Sequence, residues 1–239
     1  MKRLNQALLI ASTAFISQTA LADFSLNKLT SGDELPTLTS SKKTGFGFAS
    51  VRAPYVENTN YFGFIDKNLK ADAVIKGKNA FFLYLWIPAV ADEIGVRMIS
   101  PVGGLASPEK GDFVHPNYDK ANKADPEQWF DTWLRVERMD VIDPASIKTG
   151  GKPLNVLDED DDGDDTYEEE RHSKYNSLVR IESETSNPTK SLVRGLYRIT
   201  LTTYKKGDVA GSFVTTIGSN IPGIKIAESP EKLHKLVNL

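Results

Sequence analysis

The sequence contains no cysteine among its 239 residues. This absence excludes disulfide bonds, thiolate metal sites and cysteine nucleophiles. Neither sign of charge dominates, because 29 Lys and Arg stand against 32 Asp and Glu, so charge gives no reason to expect nucleic-acid binding. Long apolar runs are also missing. The longest one beyond the N-terminus, residues 80–91, is interrupted by Pro88 and is too short to span a bilayer.

The first 22 residues have the pattern of a secretory signal peptide. Lys2 and Arg3 precede a short apolar stretch that closes on Ala20-Leu-Ala22, a small-residue cleavage pattern. A buried N-terminal helix is the alternative interpretation. Lipid attachment to a bacterial lipoprotein requires cysteine at the first mature position, and Asp23 occupies it here. We therefore expect export without a lipid anchor, to the periplasm, the cell surface or the medium.

Hydrophobic patterning predicts a fold made mostly of β-strands. Strands are predicted at residues 81–87, 95–99, 133–138, 178–182, 192–204 and 209–217. The first is apolar on both faces and is expected to be central, with the second as its neighbour. The last two are expected to form a hairpin through a tight turn at residues 205–208.

The remaining segments are more polar. Residues 101–126 are predicted to be a loop, and residues 23–44 a loose arm or an edge strand. Ser229 and Pro230 begin a short C-terminal helix as N-cap and first helical residue. Many short strands with long polar connections favour an all-β sandwich. The expected organisation is a signal peptide over residues 1–22 and a single domain over residues 23–239.

One acidic run concentrates the negative charge of the chain. Residues 158–170 hold ten carboxylates in thirteen positions, whereas the rest of the mature chain carries a net charge of +5. Adjacent carboxylates repel each other, so a folded protein that holds them together needs a counter-charge. A hard cation with six to eight oxygen ligands supplies it, and Ca²⁺ tolerates irregular loops better than Mg²⁺ does.

The run also matches the spacing of an EF-hand loop, but two features exclude that motif. Asp165 stands where an apolar residue is required, and Gly150-Gly-Lys-Pro153 cannot form the entering helix. Two alternatives to a calcium site stay open. The run is either a solvated acidic loop or the approach to a helix that starts at the capping box Thr166–Glu169.

A second candidate carboxylate lies between aromatic residues. In an extended segment Asp131 shares a face with Trp129 and Trp133. A carboxylate among apolar rings is costly unless it is paired or bound to a metal. Alternatively, Asp131 accepts hydrogen bonds at a turn while both tryptophans lie in the core.

Motifs of common hydrolases are missing from the sequence. It contains no G-x-S-x-G, no G-x-x-x-x-G-K-[ST] and no H-E-x-x-H. Its histidines, His115, His172 and His234, are scattered. A Ca²⁺-dependent hydrolase that uses Asp161, Asp162 and His172 is retained as an alternative to a binding protein.

Several ordered blocks resemble the major surface lipoprotein family of Leptospira and its relatives in marine bacteria. The blocks run from residue 84 to residue 205 and include Tyr84-Leu-Trp-Ile-Pro, Trp129-Phe-Asp-Thr-Trp, Asp160-Asp-Asp-Gly-Asp-Asp-Thr-Tyr and Leu192-Val-Arg-Gly-Leu-Tyr-Arg-Ile. Their length and order make the resemblance specific.

The resemblance implies a jelly-roll β-sandwich with a few peripheral helices and one bound Ca²⁺. Carried over by motif, the calcium ligands are Asp131, Thr132, Asp161, Asp162 and Tyr175, the last through its main-chain carbonyl. Two features depart from the family: Asp23 replaces the lipidated cysteine, and the tail after Ile217 is short.

The expected function is that of an exported, non-enzymatic, calcium-binding envelope or surface protein with a role in adhesion or protein interaction. Its expected partners are Ca²⁺, extracellular-matrix or envelope proteins, and a second copy of the chain in a homodimer. Nucleic acid and a transmembrane segment are not expected. A purely structural periplasmic protein is the second alternative.

Overall fold

Antiparallel strands make up most of the computed structural model, which describes residues 37–46, 49–161, 175–203 and 208–239. The described residues all belong to one compact unit, Asp33–Leu239. The strands within them are β1 (Thr39–Phe46), β2 (Ala49–Pro54), β3 (Glu57–Ile65), β4 (Ala73–Ile75), β5 (Lys78–Ile87), β6 (Glu93–Ser100), β7 (Phe113–Val114), β8 (Thr132–Met139), β9 (Pro153–Asp160), β10 (Tyr175–Glu182), β11 (Gly195–Thr203), β12 (Gly211–Ser219) and β13 (Lys225–Ala227). The helices are α1 (Tyr118–Ala124), a 3₁₀ helix (Pro144–Thr149) and α2 (Pro230–Val237).

All strands except β1 and β2 form two sheets that share one apolar core. The first sheet has the order β10-β6-β12-β3-β7, and the second has the order β13-β5-β11-β8-β9 with β4 beside β5. Met98 and Phe213 of the first sheet pack in the same cluster as Leu85 and Ile199 of the second. This arrangement confirms the predicted all-β sandwich with a few short helices.

The predicted pairing of residues 81–87 with residues 95–99 is wrong, although both segments are strands. β5 lies in the second sheet and β6 in the first. The connection between them contains Pro88, and the amide of its buried Ala91 donates to the carbonyl oxygen of Leu192 at 2.9 Å. The chain therefore crosses the edge of the core instead of turning back beside β5.

The predicted hairpin of residues 192–217 is wrong for the same reason. β11 pairs with β5 and β8, whereas β12 pairs with β3 and β6 in the other sheet. All nine residues of β11 except Arg198 are buried, and so are all nine of β12. Two strands buried on both sides fill the middle of two different sheets. Residues 204–207 between them lie outside the described residues.

Helical segments agree with the sequence at one place and differ at another. α2 begins where predicted: Ser229 Oγ accepts a hydrogen bond from the amide of Lys232 at 3.2 Å, and Leu233 is fully buried. Residues 101–126 are not only loop, because they contain β7 and α1. Tyr118 of α1 is anchored against Phe62 at 5.4 Å between ring centroids. No helix in the described ranges is long and apolar enough to cross a bilayer.

A β-hairpin made of β1 and β2 lies against the first sheet. The end of the predicted arm or edge strand is therefore a strand from Thr39, whereas its beginning and the predicted signal peptide lie outside the described residues. The attachment of the hairpin centres on the carboxylate of Glu93, whose residue is only 1% exposed. That carboxylate accepts hydrogen bonds from Ser40 Oγ at 2.6 Å, from the amide and hydroxyl of Ser41 at 2.8 and 3.0 Å, and from the Tyr55 hydroxyl at 2.6 Å.

Candidate metal site

The sandwich closes on one side where the last strands of the two sheets meet. β10 is the edge of the first sheet, and β9 is the edge of the second. The amide of Leu178 in β10 donates to Asp160 Oδ2 in β9 at 2.8 Å. The first residues of β8 also reach this place, because Leu134 pairs with Asp160. The end of β9 and the starts of β8 and β10 therefore converge.

Ser177 of β10 joins two of the predicted ligands at this convergence. Its hydroxyl oxygen lies 2.8 Å from Thr132 Oγ1 and 2.8 Å from the carbonyl oxygen of Thr132. It also lies 2.8 Å from the carbonyl oxygen of Asp161. Residues that are 29 positions apart in the sequence thus meet around one buried hydroxyl.

Asp131 and Thr132 are withdrawn from solvent. Asp131 is 7% exposed and Thr132 is 0% exposed, and Asp131 Oδ1 is a fully buried atom. The two flanking tryptophans differ, since Trp133 is 4% exposed and Trp129 is 42% exposed. The interpretation that places both tryptophans in the core is therefore wrong for Trp129. A carboxylate buried to this degree must be hydrogen-bonded, ion-paired or bound to a cation.

Asp160 links the two sheets at the convergence by accepting the hydrogen bond from Leu178. Burial raises the pKa of Asp160 above its ordinary value. The hydrogen bond from the Leu178 amide lowers this pKa, and the neighbouring charges of Asp161 and Asp158 raise it.

Residues 158–160 belong to strand β9, so the beginning of the acidic run is not a loop. This extended backbone agrees with the rejection of the EF-hand, because such a loop must wrap around its ion.

Tyr175 is the first residue of β10 and lies opposite Ser100 in the register of the first sheet. Ser100 Oγ accepts a hydrogen bond from the amide of Phe130 at 3.2 Å and donates to the carbonyl oxygen of Ser212 at 2.8 Å. The backbone of Tyr175 therefore lies next to Ser100, which binds the residue that precedes Asp131. Asp162 lies outside the described residues, as does the predicted helix start at Thr166–Glu169.

The oxygen atoms that meet at the convergence are the hydroxyl and main-chain carbonyl of Thr132 and the carbonyl of Asp161, and the buried Asp131 directly precedes Thr132 in the chain. Such donors suit a hard cation and do not suit a soft one. Within the described ranges, no group of three or more histidine or acidic side chains has a metal-binding arrangement. The predicted ligand set, which includes hydroxyl and main-chain oxygens and has Asp162 outside these ranges, stays a prediction.

The described histidines do not extend this site. The amide of His115 donates to the carbonyl oxygen of Phe62 at 2.8 Å, and burial lowers the pKa of its imidazole. His234 belongs to α2 on the second sheet. His172, which the alternative hydrolase would use with Asp161 and Asp162, lies outside the described residues.

Ser177, Ser100 and Asp160 are the residues of this site that sequence patterns did not single out. Each acts through a contact with a distant segment, and alternation along a strand carries no signal for such a contact. Asp160 was visible only as one of many acids in the run.

Comparison with known families agrees with the resemblance of the sequence blocks. The model of the Lipl32 family, described as a surface lipoprotein of the Spirochaetales order, matches residues 49–226. That range contains β2 to β12 and the residues of the convergence around Ser177. A comparison with curated proteins gave no significant match. Because the family model covers most of its length, the chain belongs to the Lipl32 family of spirochaete-type surface lipoproteins.

Proposed function

We propose that the protein is an exported, non-enzymatic envelope or surface protein that binds Ca²⁺ and acts in adhesion or protein interaction. The calcium part rests on one observation: Thr132, which directly follows the buried Asp131, and the carbonyl of Asp161 meet at Ser177, at the start of a run of ten carboxylates. Family membership supports the surface role.

The residues that would hold the ion are Asp131, Thr132, Asp161, Asp162 and the main-chain carbonyl of Tyr175. A bound Ca²⁺ would supply positive charge against the acidic run. Its role is then structural, because it offsets the repulsion between carboxylates at the edge where the two sheets meet.

Thermal unfolding of the full chain in Ca²⁺ and in chelator tests the calcium part. A cation that binds only the folded state stabilises it, by about 2.7 kcal/mol at a concentration 100 times Kd. We expect a higher melting temperature in Ca²⁺, and we expect Asp131→Asn to abolish this increase.

Asp158→Asn is the matched control, because Asp158 belongs to the same acidic run but is an exposed residue of β9. It removes one charge and leaves the convergence intact, so most of the calcium-induced increase should remain. Equal melting temperatures in Ca²⁺ and chelator for the unaltered protein would contradict the proposal.

The interaction part is tested separately, by binding of the full chain to immobilised extracellular-matrix proteins with and without Ca²⁺. Family membership motivates this test. Saturable binding supports adhesion, and no binding in either condition would favour a purely structural envelope protein.

A further inference from the structure

Asp161 is the first residue of the acidic run that leaves the sheet. The register between β8 and β9 ends with the pair Leu134 and Asp160, so the ladder does not fix the residue that follows. The carbonyl oxygen of Asp161 is instead 2.8 Å from the Ser177 hydroxyl of the other sheet. This contact holds the main chain of Asp161 against β10.

Thr132 is oriented by the same hydroxyl. Ser177 Oγ is within 2.8 Å of both the side-chain and the main-chain oxygen of Thr132. A threonine hydroxyl can rotate about its Cα–Cβ bond, and a fixed partner selects one rotamer. Ser177 thus fixes Thr132 at one side of the convergence and Asp161 at the other.

Ser177 is itself rigidly placed. It is 0% exposed and pairs with Met98 as the third of the eight pairs in the first sheet's edge ladder. The next residue, Leu178, is tied to Asp160 through its amide at 2.8 Å. The Ser177 hydroxyl is neutral. It therefore orients its neighbours without changing the net charge near a bound cation.

We infer that Ser177 is a positioning residue of the calcium site, which holds Thr132 and Asp161 in the arrangement that binds the ion. The inference rests on the proposed calcium binding. Residues that orient metal ligands without touching the metal typically change affinity by about 10- to 100-fold when they are removed. Because Ser177 belongs to one sheet, while Thr132 belongs to the other and Asp161 directly follows the last strand of that other sheet, the site depends on how the two sheets meet.

Calorimetric titration of the full chain with CaCl₂ tests this role by comparing the unaltered protein with Ser177→Ala. We expect the Kd for Ca²⁺ to rise by about 10- to 100-fold. A merely structural role would lower the melting temperature equally in Ca²⁺ and in chelator. If Ser177 positions the ligands, Ser177→Ala also reduces the difference between the melting temperatures in Ca²⁺ and in chelator.

Ser191→Ala is the matched control. Ser191 is also a buried serine, 8% exposed, and its hydroxyl lies 2.8 Å from the carbonyl oxygen of Glu184 and 3.0 Å from that of Asn187. Ser191→Ala therefore removes comparable hydrogen bonds in a loop that contains none of the predicted ligands. Its Kd for Ca²⁺ should equal that of the unaltered protein.

The outcomes separate the two proposals. If the unaltered protein takes up no Ca²⁺, the proposed function fails together with this inference. If it binds Ca²⁺ and Ser177→Ala binds equally well, or Ser191→Ala weakens binding as much, only the role of Ser177 is overturned. Should Ser177→Ala not fold, Ser177→Cys replaces the hydroxyl with a weak donor of similar shape. An unchanged Kd in that variant would likewise overturn the inference.

Discussion

Two paired glycines make room for the aromatic ring that attaches the N-terminal hairpin. Gly95 of β6 lies opposite Gly218 of β12, and the ring of Tyr55 lies over both. A Cβ atom at Gly218 would come within 2.2 Å of Tyr55 Cδ2, and one at Gly95 within 2.7 Å of the Tyr55 hydroxyl oxygen. The absence of side chains at both positions is therefore a packing requirement.

Gly218→Ala is expected to lower the free energy of unfolding by about 1–3 kcal/mol, because overpacking forces the ring from its place. Urea unfolding followed by tryptophan fluorescence measures the change. Gly104→Ala is the control, since a Cβ there meets no atom within 4 Å, and it should change stability by less than about 0.5 kcal/mol. Similar losses in both variants would argue against the packing role.

Individual residues of the candidate site were only partly predictable. Asp131 stands out in the sequence because a carboxylate among aromatic residues needs a counter-charge, whereas Asp161 is one acid of a run and is singled out only by the family resemblance. Ser177 does not stand out, because a serine in a strand is ordinary and its importance comes from residues far away in the chain. Contacts between sheets decide its role, and local sequence does not encode them.

At the scale of elements, the β1–β2 hairpin depends on one buried carboxylate. Burial alone would raise the pKa of Glu93, but hydrogen bonds from Ser40, Tyr55 and Ser41 together lower it. A lowered pKa means that the folded state favours the ionised form. This contribution to stability is fully present above the pKa of an unfolded glutamate, about 4.3, and is lost as the pH falls through the folded-state pKa.

Glu93→Gln is accordingly expected to lower the free energy of unfolding at pH 7 by about 1.5–3 kcal/mol, the usual range for hydrogen bonds to a charged group. Below about pH 4.3 the stability of the unaltered protein should fall toward that of the variant. Urea unfolding at pH 7 and at lower pH measures both effects.

Glu184→Gln provides the control, because Glu184 is paired with Lys190 at 3.0 Å on the exposed surface, where such pairs contribute about 0–1 kcal/mol. A pH dependence that is unchanged in Glu93→Gln would show that other groups govern acid unfolding.

Strands were more predictable than their partners. Alternation and apolar runs located the strands around Phe81, Trp133 and Leu178, since burial of side chains leaves a periodic pattern. Pairing failed for β5 with β6 and for β11 with β12, because adjacent strands can continue into the opposite sheet of a sandwich. A connection such as the one at Pro88 gives little local sign of which sheet the chain enters.

At the scale of the whole molecule, the acidic run and the edge of the sandwich coincide. The net charge of −3 averages a basic body and a block of ten carboxylates. That block begins where β9 and β10 bring the two sheets together through Asp160 and Ser177. A cation at this place would offset the charge of the acidic run at the edge where the two sheets meet. Composition alone could not reveal that the run and the edge coincide.

Diffraction from crystals grown in CaCl₂, recorded at a long wavelength where calcium scatters anomalously, tests the central claim most directly. The account predicts one strong anomalous peak within about 2.3–2.6 Å of oxygen atoms of Asp131, Thr132 and Asp161. Well-ordered density for these residues without such a peak, or a peak bound only by other residues, would contradict it.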